Sequence, residues 1–313
     1  MALKILISSR SFGKIDSGAL DILRRSGLEP VLDQLGRTPT EDEIIELLND
    51  DFVGIIAGTE KITKKIIENA KSLRVISRYG IGLDNIDLKA AKEQRILVCN
   101  TPDAPTQAVA ELTLILILNL LRKLCEMDRE IKSNVWKPRM GTLLEGKNIG
   151  IIGLGRIGRR LVELTEPFGV DILAYETKPN NEFIKRHDIK LVTLEELMSE
   201  SNIISLHVPL TDETRNIIGK KELSTMKKDV LIINTARGGL IDEKALINAL
   251  DGKAIGGVAI DAFEVEPYKG RLSEFDNVIL TPHIGSYTTE TRIKMEIETV
   301  ENMINALKEV NII

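Results

Sequence analysis

Short apolar runs alternate with amphipathic stretches of helical period along the first third of the chain. The apolar runs predict strands at residues 4–8, 52–58, 73–80 and 95–100. The amphipathic stretches predict helices at 16–26, 41–50 and 63–70, the second with Thr40 as its N-cap. Strands and helices that alternate in this order indicate βαβ units around a parallel sheet.

A second alternating series begins at residue 148. Its predicted strands are residues 148–152, 171–175, 202–206, 230–234, 255–260 and 277–281, with helical patterns between most of them. A long helix at 106–124 and an irregular connector at 134–147 precede the series, and a helix at 288–308 follows it. The pattern predicts the α/β class, with two doubly wound parallel-sheet domains. The helix at 106–124 is apolar on most faces, so another domain or a second subunit should cover it.

Composition and charge narrow the choice of partners. Hydrophobic residues make up 43% of the chain, charged residues 28%, and the net charge is -5 without a concentrated basic run. This balance argues against nucleic acid or an anionic membrane as a partner. The apolar stretch at 112–121 is far shorter than the roughly 20 residues of a membrane span, and the start lacks a signal-peptide pattern. We therefore expect a cytoplasmic protein.

The two cysteines give no sign of a metal site. Cys99 and Cys125 have neither a CxxC spacing nor a nearby histidine cluster. We expect two reduced thiols and no bound metal.

A glycine motif follows the first strand of the second series. Gly153, Gly155 and Gly158 stand in a GxGxxG pattern between an apolar strand and a helical stretch, which is the context of a dinucleotide-binding turn. Glu176 lies 18 residues after Gly158, at the end of the next strand. A carboxylate there accepts ribose hydroxyls and repels a 2′-phosphate, so the sequence predicts NAD rather than NADP.

Histidine is the side chain best suited to exchange a proton with a substrate hydroxyl at neutral pH. His187 lies in a charged run typical of a solvated surface, and His207 ends a strand, where it can line a cofactor site. His283 follows another strand and is the candidate base, because strand ends line the crevice in such sheets.

Further candidates follow two other strands. Arg237 lies beside two glycines and has the fork geometry that holds a carboxylate. Asp261, Glu264 and Glu266 follow the next strand, and any one of them would orient a histidine base. The residues alone do not decide which acid does so.

Seven ordered segments resemble the D-isomer-specific 2-hydroxyacid dehydrogenase family. They are GKNIGIIGLGRIGRRL, SLHVPLTDETRNIIG, NTARGGLIDEKAL, AIDAFEVEP, NVILTPHIG and, upstream, RVISRYGIGLDNID with NTPDAPTQAVAELTL. The resemblance covers about residues 50–290, and it is strongest to phosphoglycerate dehydrogenase-like members without a C-terminal regulatory domain.

The resemblance implies roles for individual residues. Arg237 matches the substrate-orienting arginine, Glu266 the partner of the catalytic His283, and Asp261 a contact of the nicotinamide end. The other cofactor positions it implies are Gly153, Gly155, Arg156, Ile157, Gly158, Glu176 in place of the usual Asp, His207, Val208, Pro209, Ala236 and Gly285. The backbone amides of Tyr79, Gly80, Ile81 and Gly82 match the loop that holds the substrate carboxylate.

The resemblance also implies a domain layout. A flavodoxin-like substrate domain would comprise residues 1–100 plus 287–313, and a Rossmann NAD domain, residues 101–286, would be inserted into it. The active site would lie in a cleft between them that closes by hinges near Asn100 and Gly285. The helix at 106–124 would form the interface of a homodimer.

Three functions fit the resemblance. The leading one is NAD-dependent oxidation of 3-phosphoglycerate. Ala57-Gly58-Thr59 replaces the Arg-Ser pair of many phosphoglycerate dehydrogenases, which leaves a glyoxylate or hydroxypyruvate reductase as the alternative. An NAD-sensing protein without turnover is a third reading, of another class. Because the chain ends at Ile313, we expect no regulatory domain after it.

Overall fold

The computed structural model describes residues 3–49 and 51–313, which fold into two compact units. Unit 1 comprises Met1–Pro105 with Ser286–Ile313, and unit 2 comprises Thr106–Gly285. The resemblance implies divisions at 100/101 and 286/287, and the compact units divide at 105/106 and 285/286. Residues 1, 2 and 50 lie outside the described residues; residue 1 begins the predicted substrate domain, and residue 50 ends the predicted helix at 41–50.

Unit 1 contains a five-stranded parallel sheet. Its first segment runs β1 (Leu3–Ile7), α1 (Gly18–Arg25), β2 (Leu28–Leu32), α2 (Glu41–Leu47), β3 (Phe52–Ala57), α3 (Lys64–Asn69), β4 (Val75–Arg78), α4 (Leu88–Glu93) and β5 (Leu97–Asn100), and the C-terminal helix Thr289–Glu309 completes it. The strand order is β2-β1-β3-β4-β5, which is the flavodoxin-like order. All six residues of β3 are buried, as expected of a central parallel strand covered on both faces.

Strand β2 was not predicted. Its sequence is LEPVL, and the internal proline argues against a strand because it removes a ladder N–H. The structure accommodates Pro30 by placing β2 at the edge of the sheet, paired only with β1. Helix α4 was also missed, since only Ala90 and Ala91 of its six residues are buried.

Unit 2 contains a seven-stranded parallel sheet. Its elements are α5 (Thr106–Arg122), α6 (Leu124–Lys132), β6 (Asn148–Ile152), α7 (Arg156–Thr165), β7 (Asp171–Tyr175), α8 (Asn181–Arg186), β8 (Lys190–Leu191), α9 (Leu194–Glu200), β9 (Ile203–Leu206), α10 (Lys220–Thr225), β10 (Leu231–Asn234), α11 (Glu243–Asp251), β11 (Gly257–Ile260) and β12 (Val278–Leu280). The order β12-β11-β10-β9-β6-β7-β8 is the Rossmann arrangement with one added strand. The order reverses between β9 and β6, so ligands are expected at the carboxyl ends of these strands.

The predicted helix at 106–124 is interrupted. Lys123 has a φ of +53°, which ends α5 at Arg122 and starts the separate helix α6 in a new direction. No residue of α6 is buried, and α6 was not predicted as a separate helix.

Candidate active site

The turn after β6 is shaped by glycines where a side chain would collide. Gly153 has a φ of +95°, and a Cβ there would lie 2.7 Å from the carbonyl oxygen of His207. A Cβ on Gly158 would lie 2.3 Å from the carbonyl oxygen of Gly153, so glycine alone lets α7 pack this close to the strand. At Gly155, no described atom lies within 4 Å of the Cβ position.

The open space at Gly155 lies at the beginning of α7. Gly155 is the N-cap, and within the described chain no side chain caps the first turn, which starts at Arg156 and Ile157. The backbone N–H groups of a helix start and its dipole attract phosphate. The loop therefore fits the pyrophosphate of a dinucleotide in both shape and charge.

Glu176 is fixed immediately after β7. One carboxylate oxygen accepts the N–H of Leu154 at 2.7 Å, and the other accepts the N–H of Lys178 at 2.8 Å. These bonds hold a negative charge beside the glycine loop, where it can accept ribose hydroxyls and repel a 2′-phosphate. The residues present therefore fit NAD.

The segment after β9 lies against the glycine loop. Val208 Cγ1 would be 2.7 Å from a Cβ on Gly153, and Pro209 is exposed. His207 Nε2 lies 2.9 Å from Ser205 Oγ, whereas its buried Nδ1 has no partner in the described chain. Although part of the residue reaches solvent, burial of the ring lowers the pKa of His207 to about 4, so the imidazole is neutral at pH 7.

The loop after β10 is closed by a side chain that sequence reasoning missed. Asn234 Oδ1 accepts the N–H of Ala236 at 3.1 Å, and Nδ2 donates to the carbonyl of Arg237 at 2.7 Å. Arg237 Nη1 donates to the Ala236 carbonyl at 2.7 Å. A Cβ on Gly238 would lie 2.0 Å from the carbonyl carbon of Phe263, so the loop packs directly on the segment that follows β11.

Glu266 and His283 are in direct contact. Nδ1 of His283 lies 3.0 Å from Oε1 and 3.1 Å from Oε2 of Glu266. Oε1 also accepts the N–H of Phe263 at 3.1 Å. Burial raises the pKa of Glu266, but the hydrogen bonds from His283 and Phe263, with the charges of His283 and Arg237, outweigh it and hold the pKa below its ordinary value.

The other two acids after β11 have different partners. Glu264 Oε1 lies 2.7 Å from Nη1 of Arg215, in an exposed ion pair. Asp261 is buried and bonds to the loop that carries His283. The sequence left open which acid meets the histidine, and the structure brings Glu266 to it.

Asp261 anchors the loop after β12. Its carboxylate accepts the hydroxyl of Thr281 at 2.6 Å and the N–H groups of Ile284 at 2.8 Å and Gly285 at 2.9 Å. His283 stands between these donors with a φ of +54°. The predicted contact of Asp261 with nicotinamide stays a prediction, and its visible role is to fix the backbone around His283.

In unit 1, two backbone N–H groups of the loop after β4 have no acceptor among the described residues. The N–H groups of Tyr79 and Gly80 donate to backbone carbonyl oxygens of unit 1, each at 2.9 Å. The N–H groups of Ile81 and Gly82 have no acceptor within the described residues. Only the second half of the predicted carboxylate-binding loop can therefore bind an anion without breaking an existing bond.

The side chain of Tyr79 belongs to the core of unit 1. Its hydroxyl donates to Glu296 Oε1 at 3.3 Å, and Arg292 lies 4.4 Å from the centre of its ring. Phe12 packs edge-on against the same ring. Burial raises the pKa of Tyr79 and of Glu296. Tyr79 thus supports the loop through packing rather than by offering its side chain to a ligand.

Among residues 3–49 and 51–313, no helix combines the length and apolarity that a bilayer crossing requires. Within the same described ranges, no group of three or more His, Cys, Asp or Glu side chains is placed to hold a metal ion.

Comparison with known proteins places unit 2 in a defined family. A family model described as "D-isomer specific 2-hydroxyacid dehydrogenase, NAD binding domain" matches residues 114–285, more than half of the chain. This protein therefore belongs to the D-isomer-specific 2-hydroxyacid dehydrogenase family, and its cofactor is NAD.

Individual relatives carry different names. A D-3-phosphoglycerate dehydrogenase of Methanocaldococcus jannaschii is 43% identical over 257 residues, covering 81% of this chain and 49% of the relative. A hydroxypyruvate reductase of Thermotoga maritima is 40% identical, covering 85% of this chain and 88% of the relative. The crystal structure of a glyoxylate reductase from Paecilomyes thermophila superposes with a TM-score of 0.88 at 31% identity, covering 98% and 95% of the two chains. The chain spans about half the length of the phosphoglycerate dehydrogenases that it matches.

Proposed function

We propose that this protein is an NAD-dependent D-2-hydroxyacid dehydrogenase. The observation that carries the proposal is the contact of His283 with Glu266 near the charge of Arg237, on loops at the carboxyl edge of an NAD-binding sheet. When bound, NAD supplies the hydride acceptor or donor at nicotinamide C4. The substrate is a small 2-hydroxy or 2-oxo acid, and its D configuration follows from the family.

The residues divide the remaining work. Nδ1 of His283 faces Glu266, so Nε2 is the nitrogen that takes the proton from the C2 hydroxyl, or returns it to the C2 oxygen. Glu266 orients the ring and stabilises its protonated form. The guanidinium of Arg237 holds the carboxylate and the C2 oxygen of the substrate. In unit 1, the N–H groups of Ile81 and Gly82, which have no acceptor among the described residues, can bind a carboxylate.

Among substrates, the structure favours an unphosphorylated acid. Glu60 is 4% exposed and lies in the loop after β3, the strand next to β4. Its carboxylate accepts the N–H of Gly58 at 2.7 Å and the hydroxyl of Ser8. Asn85 ties the same loop down by donating to the carbonyl oxygens of Gly58 and Glu60 at 3.2 and 2.6 Å. A phosphate dianion beside this loop would meet a negative charge where many phosphoglycerate dehydrogenases have an arginine.

Glyoxylate and hydroxypyruvate are therefore the proposed substrates. The second candidate is 3-phosphohydroxypyruvate, paired with 3-phosphoglycerate, because the relative from Methanocaldococcus jannaschii is 43% identical over most of this chain. An unphosphorylated acid needs no positively charged side chain near Glu60. A phosphorylated acid would need one from another part of the protein to bind its phosphate.

A substrate panel tests the proposal. NADH oxidation by the purified protein would be followed with glyoxylate, hydroxypyruvate, pyruvate, longer 2-oxo acids and 3-phosphohydroxypyruvate. We expect the highest kcat/KM with an unphosphorylated acid. A clear preference for the phosphorylated acid would establish the second candidate. Tight NADH binding without turnover of any acid would refute the enzyme proposal and favour an NAD-sensing protein.

We further propose a homodimer that forms through residues 124–143, the apolar strap. Its large apolar side chains are exposed, among them Leu124, Ile131, Trp136, Met140 and Leu143. A groove of about 550 Å³ next to it is lined by the end of α5, residues 142–145 and residues 167–169. Exposed patches of this kind mark protein interfaces, and a second copy presents the same surfaces in self-complementary form.

A further inference from the structure

The side chain of Arg78 closes the loop Tyr79–Gly82 from behind. Its Nε donates to the carbonyl oxygen of Gly82 at 3.1 Å, and its Nη1 donates to the carbonyl oxygen of Tyr79. Gly80 has a φ of +142°, and a Cβ there would lie 2.7 Å from Nη1 of Arg78. The guanidinium thus occupies the space beneath the loop, and only glycine leaves room for it.

The two middle carbonyls of the loop bond to the end of β5. The N–H of Thr101 donates to the Gly80 carbonyl at 3.0 Å, and Nδ2 of Asn100 donates to the Ile81 carbonyl at 2.6 Å. Asn100 is itself held, because its carbonyl accepts Nδ2 of Asn302 at 2.8 Å. All four carbonyls of the loop therefore have a donor from within unit 1.

This arrangement fixes the direction of the free donors. In a planar trans peptide the N–H points opposite to the carbonyl of the preceding residue. With the Gly80 and Ile81 carbonyls held inward, the N–H groups of Ile81 and Gly82 point the other way. Successive backbone N–H groups without acceptors can bind an anion, and a guanidinium on the carbonyl side of the same peptides adds favourable charge.

We propose that Arg78 and Asn100 are positioning residues, which hold this loop in the form that binds the substrate carboxylate. The inference rests on the proposed function, because it takes the anion to be the acid group of the substrate. The guanidinium of Arg78 bonds to the carbonyls at both ends of the loop. Asn100 orients the peptide between Ile81 and Gly82 through its bond to the Ile81 carbonyl.

The test compares Arg78→Met, Arg78→Lys and Asn100→Asp with the wild type. Asn100→Asp is nearly isosteric but replaces the donor with a second acceptor. We expect KM for the preferred 2-oxo acid to rise roughly ten- to hundredfold in Arg78→Met and Asn100→Asp, with a smaller rise in Arg78→Lys. Calorimetric titration with oxalate in the presence of NADH should show the same losses of affinity. The Kd for NADH should stay within about twofold of wild type.

Arg74→Met is the matched control. Arg74 also donates to two backbone carbonyls, those of Lys71 and Leu73, but at the opposite end of β4. We expect its KM and oxalate affinity to equal those of the wild type. Unchanged KM and oxalate affinity in Arg78→Met and Asn100→Asp would overturn the inference, and so would an equal loss in Arg74→Met.

Failure of the proposed function has a different signature. In that case the wild type itself would neither turn over any 2-oxo acid nor bind oxalate with NADH present. If the wild type is active but the Arg78 and Asn100 variants bind oxalate normally, the proposed function is supported and only the positioning role is contradicted.

Discussion

The imidazole of His283 makes a bifurcated contact with Glu266, with Nδ1 at 3.0 Å from Oε1 and 3.1 Å from Oε2. Glu266 is held for this contact by the N–H of Phe263. Because its pKa lies below the ordinary value, Glu266 is negative at neutral pH. The carboxylate therefore acts as a fixed charge that favours the protonated ring.

Replacement of Glu266 by Gln removes that charge while keeping the shape. The ring of His283 then loses the carboxylate that orients it and the charge that faces its Nδ1. We expect kcat to fall by roughly tenfold or more, while the Kd for NADH stays unchanged. The control is Glu264→Gln, because Glu264 pairs with Arg215 instead. An unchanged kcat in Glu266→Gln, or an equal loss in the control, would contradict the assigned pairing.

Replacement of His283 by Gln should abolish most turnover without loss of the cofactor. General acid–base catalysis contributes about 10²–10⁴-fold, and we expect kcat to fall by that factor. NADH affinity, measured by fluorescence titration, should change little. His187→Gln serves as control, since His187 follows α8 and its Nδ1 lies 3.2 Å from the exposed Glu166. If His283→Gln kept near-normal kcat, another group would be the acid.

Replacement of Asp261 by Asn should loosen the loop after β12. The two carboxylate oxygens of Asp261 accept three hydrogen bonds. The side chain of Asn has one oxygen, and its NH2 group would face N–H or O–H donors that now bond to the second carboxylate oxygen. We expect the free energy of unfolding without NADH to fall by about 1–3 kcal/mol, with a loss of kcat. Thr281→Val removes one donor only, so it should cost less. Unchanged stability in Asp261→Asn would restrict Asp261 to a cofactor contact.

The sequence predicted the parts of the fold that depend on local pattern. Buried parallel strands such as β3 are continuous apolar runs. The glycines of the motif after β6 stand where the backbone has a positive φ or where a Cβ would collide, so the motif predicts the turn. Strand β2 was not predicted, because a proline within a strand is tolerated at a sheet edge, and the position of a strand in the sheet cannot be read from its own sequence.

The site was predictable to the level of residues, but not of their contacts. The motifs pointed to Glu266 and His283, yet spacing alone did not separate Glu266 from Glu264, because adjacent loop residues face different partners only after folding. Arg78 and Asn234 were missed for the same reason. Their signal is a polar side chain at the end of a buried strand, and its partner is backbone, which has no sequence signature.

The neutral imidazole of His207 should make the protein sensitive to acid. Burial lowers its pKa from 6.5 to about 4, so between these values the unfolded chain takes a proton that the folded chain does not. This contribution is fully present above pH 6.5 and is lost as the pH falls through 4, with a total of at most about 3 kcal/mol. We expect His207→Gln to flatten the fall in unfolding free energy between pH 7 and 4.5 in urea titrations. An unflattened His207→Gln curve would contradict the buried, neutral state.

Substitution in the apolar strap should separate the proposed dimer. Trp136 and Met140 are 88% and 89% exposed, and side chains this large are rarely so open in a monomer. Light scattering after gel filtration should give twice the chain mass of 34.8 kDa for the wild type. In Trp136→Asp, loss of an aromatic anchor and burial of a charge should weaken association by at least about thirtyfold and produce monomer at micromolar concentration. Leu191→Asp, at an exposed position of β8 outside the strap, should remain dimeric. A monomeric wild type, or a Trp136→Asp variant that stays dimeric, would rule out the strap as the interface.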